Sequence, residues 1–527
     1  MSERLFFSNE ISKGTNWFKR RLNSTVFLWL ILLFGAVLRI YDLGGESYVS
    51  DEMYTVIEAQ QSVHQMLTSG RLDQPPAYYL PLILWAKIFG LNEVSTRSFS
   101  VLTGLGSIVL VYLVGRELFD KRVGLVGAFL MAISGIQIYY SQTARYYSFF
   151  ELATLLSFLF FVLSLRDKKI IHRVLFVVSS ILMVYSHAFG VFILAAQNLF
   201  FVFQRKNTRN DIAIWFFCQA IILFAILPYF YPLFLGGNVV ESALSNTSIT
   251  PPPPIWEPVA TPFRLVLPNR YGRSWLTVIV SFIAAIAFLA AGAWIYISRQ
   301  GKRNWMDLIH EVMGNFREIP DVATKLFMVG CWLLCPILLP FILSWMVAPI
   351  FNQRYMIGAA PALYLLIGLV LLNIRRAIPL FISLGALLII VVPGLYSYYV
   401  TDVKDQWKEV AAYVEQNSSP NDVIVFPNDS DIGDRKGIKH ESLYWYYRGD
   451  LQSCSVNIRP VNSNEIMKPL MQCIAGHDRF WLISHDFDPE VNDRIRSFFL
   501  TENHNTMHVI TERQFVGLVV YLFELAR

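Results

Sequence analysis

The sequence predicts an α-helical polytopic membrane protein of about 11 transmembrane helices with a C-terminal extracytoplasmic α/β domain. Three observations carry that expectation. Apolar runs of spanning length recur from Thr25 to Tyr399, in a chain of 527 residues that is 54% hydrophobic and only 16% charged. Lysine and arginine gather in alternate turns between those runs. From Thr401 the composition turns polar, and short helical and strand-like segments alternate.

Residues 1–24 are polar and carry Lys13, Lys19, Arg20 and Arg21 just before the first apolar run, which assigns them to the cytoplasm. The first span covers 25–41. Arg39 and Tyr41 stand where a signal-peptidase site would need small residues, so this run reads as a retained span. An outer loop, 42–95, follows. Within it, Met53–Leu67 has the pattern of a helix of mixed polarity, and the run from Ala77 to Phe89 reads as an interfacial helix. Further spans are expected near 96–115, 123–141, 148–165, 171–186, 188–204, 211–235, 274–298, 325–346, 355–373 and 378–399. Inner turns carry Arg116, Lys121 and Arg122, then Arg166, Lys168 and Lys169, then Arg205, Lys206 and Arg209. Arg299, Lys302 and Arg303 follow, and last Arg375 and Arg376. That pattern puts residues 400–527 outside, at a plasma (inner) membrane.

The net charge of +5 sits in these short turns and calls for no nucleic acid. Cys218, Cys331 and Cys335 lie in apolar runs as small hydrophobes, whereas Cys454 and Cys473 can pair if the polar domain meets an oxidising compartment. No zinc spacing, glycine-rich phosphate loop or nucleophile elbow occurs in 400–527.

The orientation makes a few outer charges informative. Asp51 and Glu52 are adjacent carboxylates just past the first span, and Arg97, Arg145 and Arg354 are isolated cations beside span ends on the same side. His187 sits in the turn between two short spans. Each has a structural alternative: Asp51 as an N-terminal cap of the helix starting near Met53, the others as side chains that anchor to headgroups. An acid facing several cations equally suits chemistry that takes a proton and binds a phosphate. The outer loop 236–273, with Pro251–Pro254, is either a substrate-responsive lid or a stiff connector, and Trp305–Met313 reads as an inner surface helix. In 400–527, a helical stripe starts at Trp407, strands are expected at Val423–Phe426, Arg479–Ser484 and Val516–Phe523, and helices at Ile466–Cys473 and Pro489–Phe499.

Taken in order, several motifs resemble the polytopic GT-C glycosyltransferases of the protein O-mannosyltransferase and aminoarabinose-transferase superfamily. They are Leu38-Arg39-Ile40, Asp51-Glu52, Gln74-Pro75-Pro76-Ala77-Tyr78-Tyr79, and Leu84-Trp85-Ala86-Lys87-Ile88-Phe89-Gly90. Arg97, Tyr112–Phe119, the run Tyr139–Tyr147, His187, Arg354-Tyr355 ahead of Pro361, and Asp405-Gln406-Trp407 continue the series. The likeness covers 25–425. Two positions depart from it: Gln74 stands where members often have Lys or His, and Thr143 where many have Glu.

The resemblance implies a GT-C-type module over 25–399 that transfers a sugar from a polyprenyl-phosphate donor to a lipid, glycan or protein acceptor at the outer face. It implies Asp51 as base with Glu52 beside it, and Arg354, Arg145, His187, Tyr355, Gln74 and Arg97 as the residues for donor phosphate and substrate. No cofactor is required by this reading; a divalent metal is compatible with it, but the Thr143 departure leaves no ligand set to carry over. The rival expectations are a non-enzymatic lipid or polysaccharide transporter and a surface-glycan polymerase or ligase. Transporters place polar groups at the midplane and show internal repeats, whereas here the charges collect at one face and no repeat is visible.

Overall fold

The computed structural model describes residues 24–68, 75–204, 208–235, 252–266, 321–374, 377–428, 438–457, 463–485, 493–503 and 506–526. The N-terminal stretch before Ser24, Gln74, the span expected at 274–298, the surface segment 305–313 and the cations Arg205, Lys206, Arg299, Lys302, Arg303, Arg375 and Arg376 lie outside the described residues.

Long apolar sequences become long helices. Among the described residues, six helices are long and apolar enough to cross a membrane, including Glu93–Leu118, Tyr147–Asp167 and the stretch Gln353–Asn373. Shorter apolar helices cover Ser24–Ile40, Ile170–Ser186 and Gly190–Phe203. One expected span is broken. Lys121–Ile133 and Gly135–Ser141 are separate helices that meet at 63°, and the physical cause is visible at the break. Ser134 leaves the helical conformation (φ −66°, ψ 125°), which strands the last carbonyls of the first piece. Buried Arg39 takes them up, donating to Met131 O at 3.0 Å and Ala132 O at 2.9 Å, and it also reaches Ser141 Oγ at 3.1 Å. A cation at a helix C-terminus suits the negative end of its dipole. Lys121–Ile133 itself crosses Glu93–Leu118 closely: a Cβ on Gly115 would stand 2.7 Å from Gly124 Cα, so both glycines are needed for this approach.

The segment between Ser24–Ile40 and Glu93–Leu118 differs from expectation. In place of one helix from Met53 there are two, Ser50–Ala59 and Val63–Thr68, followed by Pro76–Phe89. The helix therefore begins three residues earlier than the pattern suggested, with Val49 at the cap position and Asp51 inside the first turn. Asp51 is not the cap.

The polar C-terminal part folds on a five-stranded mixed sheet. Its strands are β1 (Val423–Asn428), β2 (Gln452–Asn457), β3 (Arg479–His485), β4 (Met507–Phe515) and β5 (Leu518–Leu525), in the order β2-β1-β3-β5-β4. β1 pairs in parallel with β2 and β3; β5 runs antiparallel to β3 and β4. Strand alternation gives each face its own core. Val423, Val425, Phe480 and Leu482 pack with Ile466 and Leu470 of helix Ser463–Cys473. Ile424, Phe426, Trp481 and Ile483 pack with Trp407, Val410 and Val414 of helix Trp407–Asn417. This is a helix–sheet–helix sandwich. Cys454 of β2 and Cys473 at the end of helix Ser463–Cys473 are paired on one face of the sheet, with Cα atoms 6.1 Å apart. β2, β4 and the helix Ile438–Tyr444 were not expected from the sequence pattern; Pro489–Phe499 is described only from 493 on and runs into the turn Arg496–Glu502.

Candidate active site

Two short backbone features set the site. The helix Ser50–Ala59 presents Asp51 and Glu52 on successive positions, so their carboxylates diverge. The 3₁₀ turn Gln353–Ala359, started by Asn352 whose Oδ1 accepts from Arg354 N, presents Arg354 and Tyr355. That turn is fixed from behind. Trp332, fully buried and stacked on Phe158 at 3.8 Å, donates its indole N–H to Gly358 O at 2.8 Å. The helix Glu257–Arg264 braces it from the side, with Glu257 accepting from Gln353.

Asp51 faces Arg354. Arg354 Nη1 donates to Asp51 Oδ2 at 2.7 Å, joining residues 303 apart in sequence. Both side chains are open to the surface, 48% exposed for Asp51 and 35% for Arg354. Burial favours the neutral acid, but the charges of Arg145 and Arg354 hold the Asp51 carboxyl below the ordinary range.

Glu52 faces the other way and is fully enclosed. Arg97 donates to it through Nε and Nη2, both at 2.9 Å, a bidentate pair. Ala144 N donates at 2.8 Å, Lys404 Nζ approaches at 3.2 and 3.3 Å, and Val49 N lies 3.3 Å from Oε2. Burial would raise its pKa, but Arg97 and Lys404 reverse that and hold it at about 2. The remaining Arg97 donors go to the carbonyls of Leu43, Glu46 and Ser47 at 2.9–3.0 Å. With those bonds and 1% exposure, Arg97 has no donor to offer a ligand. The pair Glu52–Arg97 thus lies behind the site, stitching the loop before Ser50 to the turn that carries Arg145.

Arg145 is buried beside Asp51 with loosely filled donors. Nη1 reaches Thr55 Oγ1 at 3.2 Å and Tyr79 OH at 3.5 Å, Nη2 reaches Tyr146 OH at 3.5 Å, and Nε has no hydrogen-bond partner. Its guanidinium lies over the Tyr146 ring, 4.7 Å from the centroid. Arg354 Nε is likewise buried and unpartnered. His187 sits among Tyr146, Phe150, Phe189 and Tyr355, the last 4.7 Å away between ring centroids. Its Nδ1 accepts from Phe189 N at 3.0 Å, which leaves the proton of the neutral ring on Nε2. Burial, then the Arg354 and Arg145 charges, lower its pKa to about 3, so it is an uncharged donor at neutral pH. Asp51, Arg145, His187, Arg354 and Tyr355 thus come together; Glu52 and Arg97 support them; Gln74 is not among the described residues.

Sequence reasoning missed Lys404 and the tyrosines Tyr79, Tyr146 and Tyr147. The tyrosines lie inside Gln74–Tyr79 and Tyr139–Tyr147, and Lys404 stands one residue before Asp405-Gln406-Trp407. Among the described residues no three His, Cys, Asp or Glu side chains gather as metal ligands. Asp51 and Glu52 diverge toward separate cations and do not form a carboxylate pair around one ion.

Residues 73–231 match the family model described as dolichyl-phosphate-mannose-protein mannosyltransferase. An Aquifex aeolicus chain described only as "Uncharacterized protein" is 26% identical over 38% of this chain and 42% of its own length. "Putative mannosyltransferase YkcB" of Bacillus subtilis is 30% identical over 24% of this chain and 19% of its own. The matched parts thus span less than half of either relative. The structure of ArnT from Cupriavidus metallidurans bound to undecaprenyl phosphate superposes with a TM-score of 0.55 at 13% identity, covering 95% of this chain and 98% of ArnT. The family model covers less than a third of the chain, whereas the likeness in fold covers nearly all of it: the chain has the fold of a multi-pass membrane protein like ArnT, with a C-terminal sheet domain.

Proposed function

We propose that the chain is a membrane glycosyltransferase that moves a sugar from a polyprenyl-phosphate carrier to an acceptor hydroxyl by direct displacement with inversion. The observation that carries the reading is the half-exposed Asp51–Arg354 pair at 2.7 Å, flanked by Arg145, with unfilled guanidinium donors on both arginines. The family match, and the undecaprenyl phosphate bound by ArnT, give the donor its chemical class.

Donor binding changes the partner of Arg354. The phosphodiester competes with Asp51 for the guanidinium and takes Nε as well, a fork that suits phosphate oxygens. Arg145 meets the same phosphate from its buried side. Asp51, relieved of Arg354, is then a stronger base. The acceptor oxygen attacks the anomeric carbon, its proton passes to Asp51, and the bond from that carbon to the phosphate oxygen breaks with its electron pair on the oxygen. The product beside the glycoside is polyprenyl phosphate, whose added charge Arg354 and Arg145 stabilise more than they did the diester, which is the differential that lowers a barrier. His187 Nε2–H offers a neutral hydrogen bond within the aromatic wall. These steps draw on side chains of the chain itself.

The reading places the site and residues 400–527 outside the cytoplasm. Ion pairs of Arg166 with Glu117 and of Lys168 with Asp211 gather the basic turns at one end of the bundle, and the Cys454–Cys473 pair suits an oxidising compartment. The test is a panel of radiolabelled polyprenyl-phosphate sugars given to purified protein with lipid, glycan and peptide acceptors. Release of polyprenyl phosphate with label on one acceptor is expected. Passage of intact donor across a vesicle membrane without bond cleavage would instead support a transporter.

A further inference from the structure

We propose that Lys404, which enters from the lead-in to the sheet domain, is a positioning residue for the candidate base, so that the C-terminal domain completes the site. This rests on the transferase reading above. Lys404 is 2% exposed, and its ammonium is bonded to Gln142 O at 2.7 Å and to both oxygens of Glu52 at 3.2 and 3.3 Å. Glu52 is the residue next to Asp51, and it also holds Ala144, the residue next to Arg145. One carboxylate thus sets the base from one side and a phosphate-binding arginine from the other. Lys404 is the only contact to that carboxylate, among the described residues, that comes from beyond the membrane module.

The surrounding contacts hold the same loop. Val403 N and Lys404 N donate to Glu46 Oε1, Lys408 N donates to Ser47 Oγ, and Lys408 Nζ reaches Gly44 O. Tyr446 from the domain accepts from Tyr48 N at 2.8 Å and donates to Glu93 Oε1 at 2.8 Å. The chain from Gly44 to Glu52 therefore lies between the membrane helices and the sheet domain.

Stability alone gives a poor reason for a lysine here. Glu52 already has a full bidentate partner in Arg97, so a second cation adds like-charge repulsion and desolvation, which offset much of its attraction. What Lys404 adds is a third direction of pull on Glu52, against the Arg97 fork and the Ala144 N–H. Burial first, then the Arg97 charge, bring its pKa down to about 8, with Glu52 and Glu46 opposing. Glu52, Arg97, Glu46 and the Gln142 carbonyl are the groups that face it.

The experiment uses the full chain with Lys404→Met, Glu52→Gln and the double variant. Transfer is measured with the donor that the wild type consumes, from pH 6 to 9.5, alongside thermal unfolding. Expected for Lys404→Met is a melting temperature lowered by less than in Glu52→Gln, because Arg97 still pairs Glu52, a kcat lowered on the order of a hundredfold by misplacement of the base, and little change in donor KM. The wild type should lose activity as pH rises through about 8, and Lys404→Met should lack that limb. In the thermal cycle the Lys404 and Glu52 effects should be non-additive. Full activity of Lys404→Met with an unchanged pH profile overturns the proposal and leaves the transferase reading standing. A wild type that cleaves no donor overturns the transferase reading, and the thermal cycle then decides the Lys404–Glu52 coupling on its own.

Discussion

Replacing Glu52 by Gln keeps the shape of the side chain and removes the charge that neutralises two buried cations. Its carboxyl titrates at about 2 in the folded chain against an ordinary 4.5, a separation that corresponds to about 3 kcal/mol of folding free energy at neutral pH. Removing one partner of a buried ion pair costs about 3 to 5 kcal/mol by a separate route, so the two agree. The sign follows from the lowered value: the contribution is complete above the unfolded value of 4.5 and is lost as pH falls through about 2. Chemical unfolding of wild type and Glu52→Gln in detergent should therefore differ by about 3 to 5 kcal/mol at pH 7, and the difference should shrink as pH falls from 4.5 toward 2. Equal stability at pH 7, or a difference that does not change with pH, would refute the role of Glu52 as the anchor of the site.

Other outcomes follow from the same geometry. Arg354→Ala should abolish transfer and Arg354→Lys should restore little, because a point charge cannot replace a planar fork; near-normal turnover of the Lys variant in the donor assay would remove the bidentate role. A periplasm-dependent reporter fused after Arg527 should be active, and activity confined to a cytoplasm-dependent reporter would reverse the orientation. Replacing both Cys454 and Cys473 by Ser opens a bridge between residues 19 apart and should cost the sheet domain about 3 kcal/mol, read as faster proteolysis of residues beyond 400 with transfer declining alongside.

The helical part was legible because long apolar runs leave few alternatives to a helix. The break at Ser134 was not, since the apolar run continues across it and what makes the bend affordable is Arg39, 93 residues from the carbonyl it takes. Asp51, Arg145 and Arg354 could be placed on one face from topology alone. Arg97 looked the same in sequence, yet three of its bonds go to backbone carbonyls, whose positions no side-chain pattern records. Lys404 was passed over because a lysine just after a span end ordinarily reaches water. β2 and β4 escaped notice for a related reason: Gln452–Asn457 and Met507–Phe515 are edge strands with mostly polar or exposed positions, so period-two alternation is weak in both.

The central claim is that Asp51 takes the acceptor proton, and Asp51→Asn isolates it. Asp51 is half-exposed, makes a single side-chain bond among those described, to Arg354, and is not the helix cap, so an amide in its place should leave thermal unfolding nearly unchanged. Loss of a general base typically lowers the rate on the order of a hundred- to ten-thousandfold. Purified Asp51→Asn should therefore melt close to wild type and transfer label from its polyprenyl-phosphate sugar slower by that factor, with donor binding retained. A variant that melts normally and transfers at near wild-type rate would contradict the account.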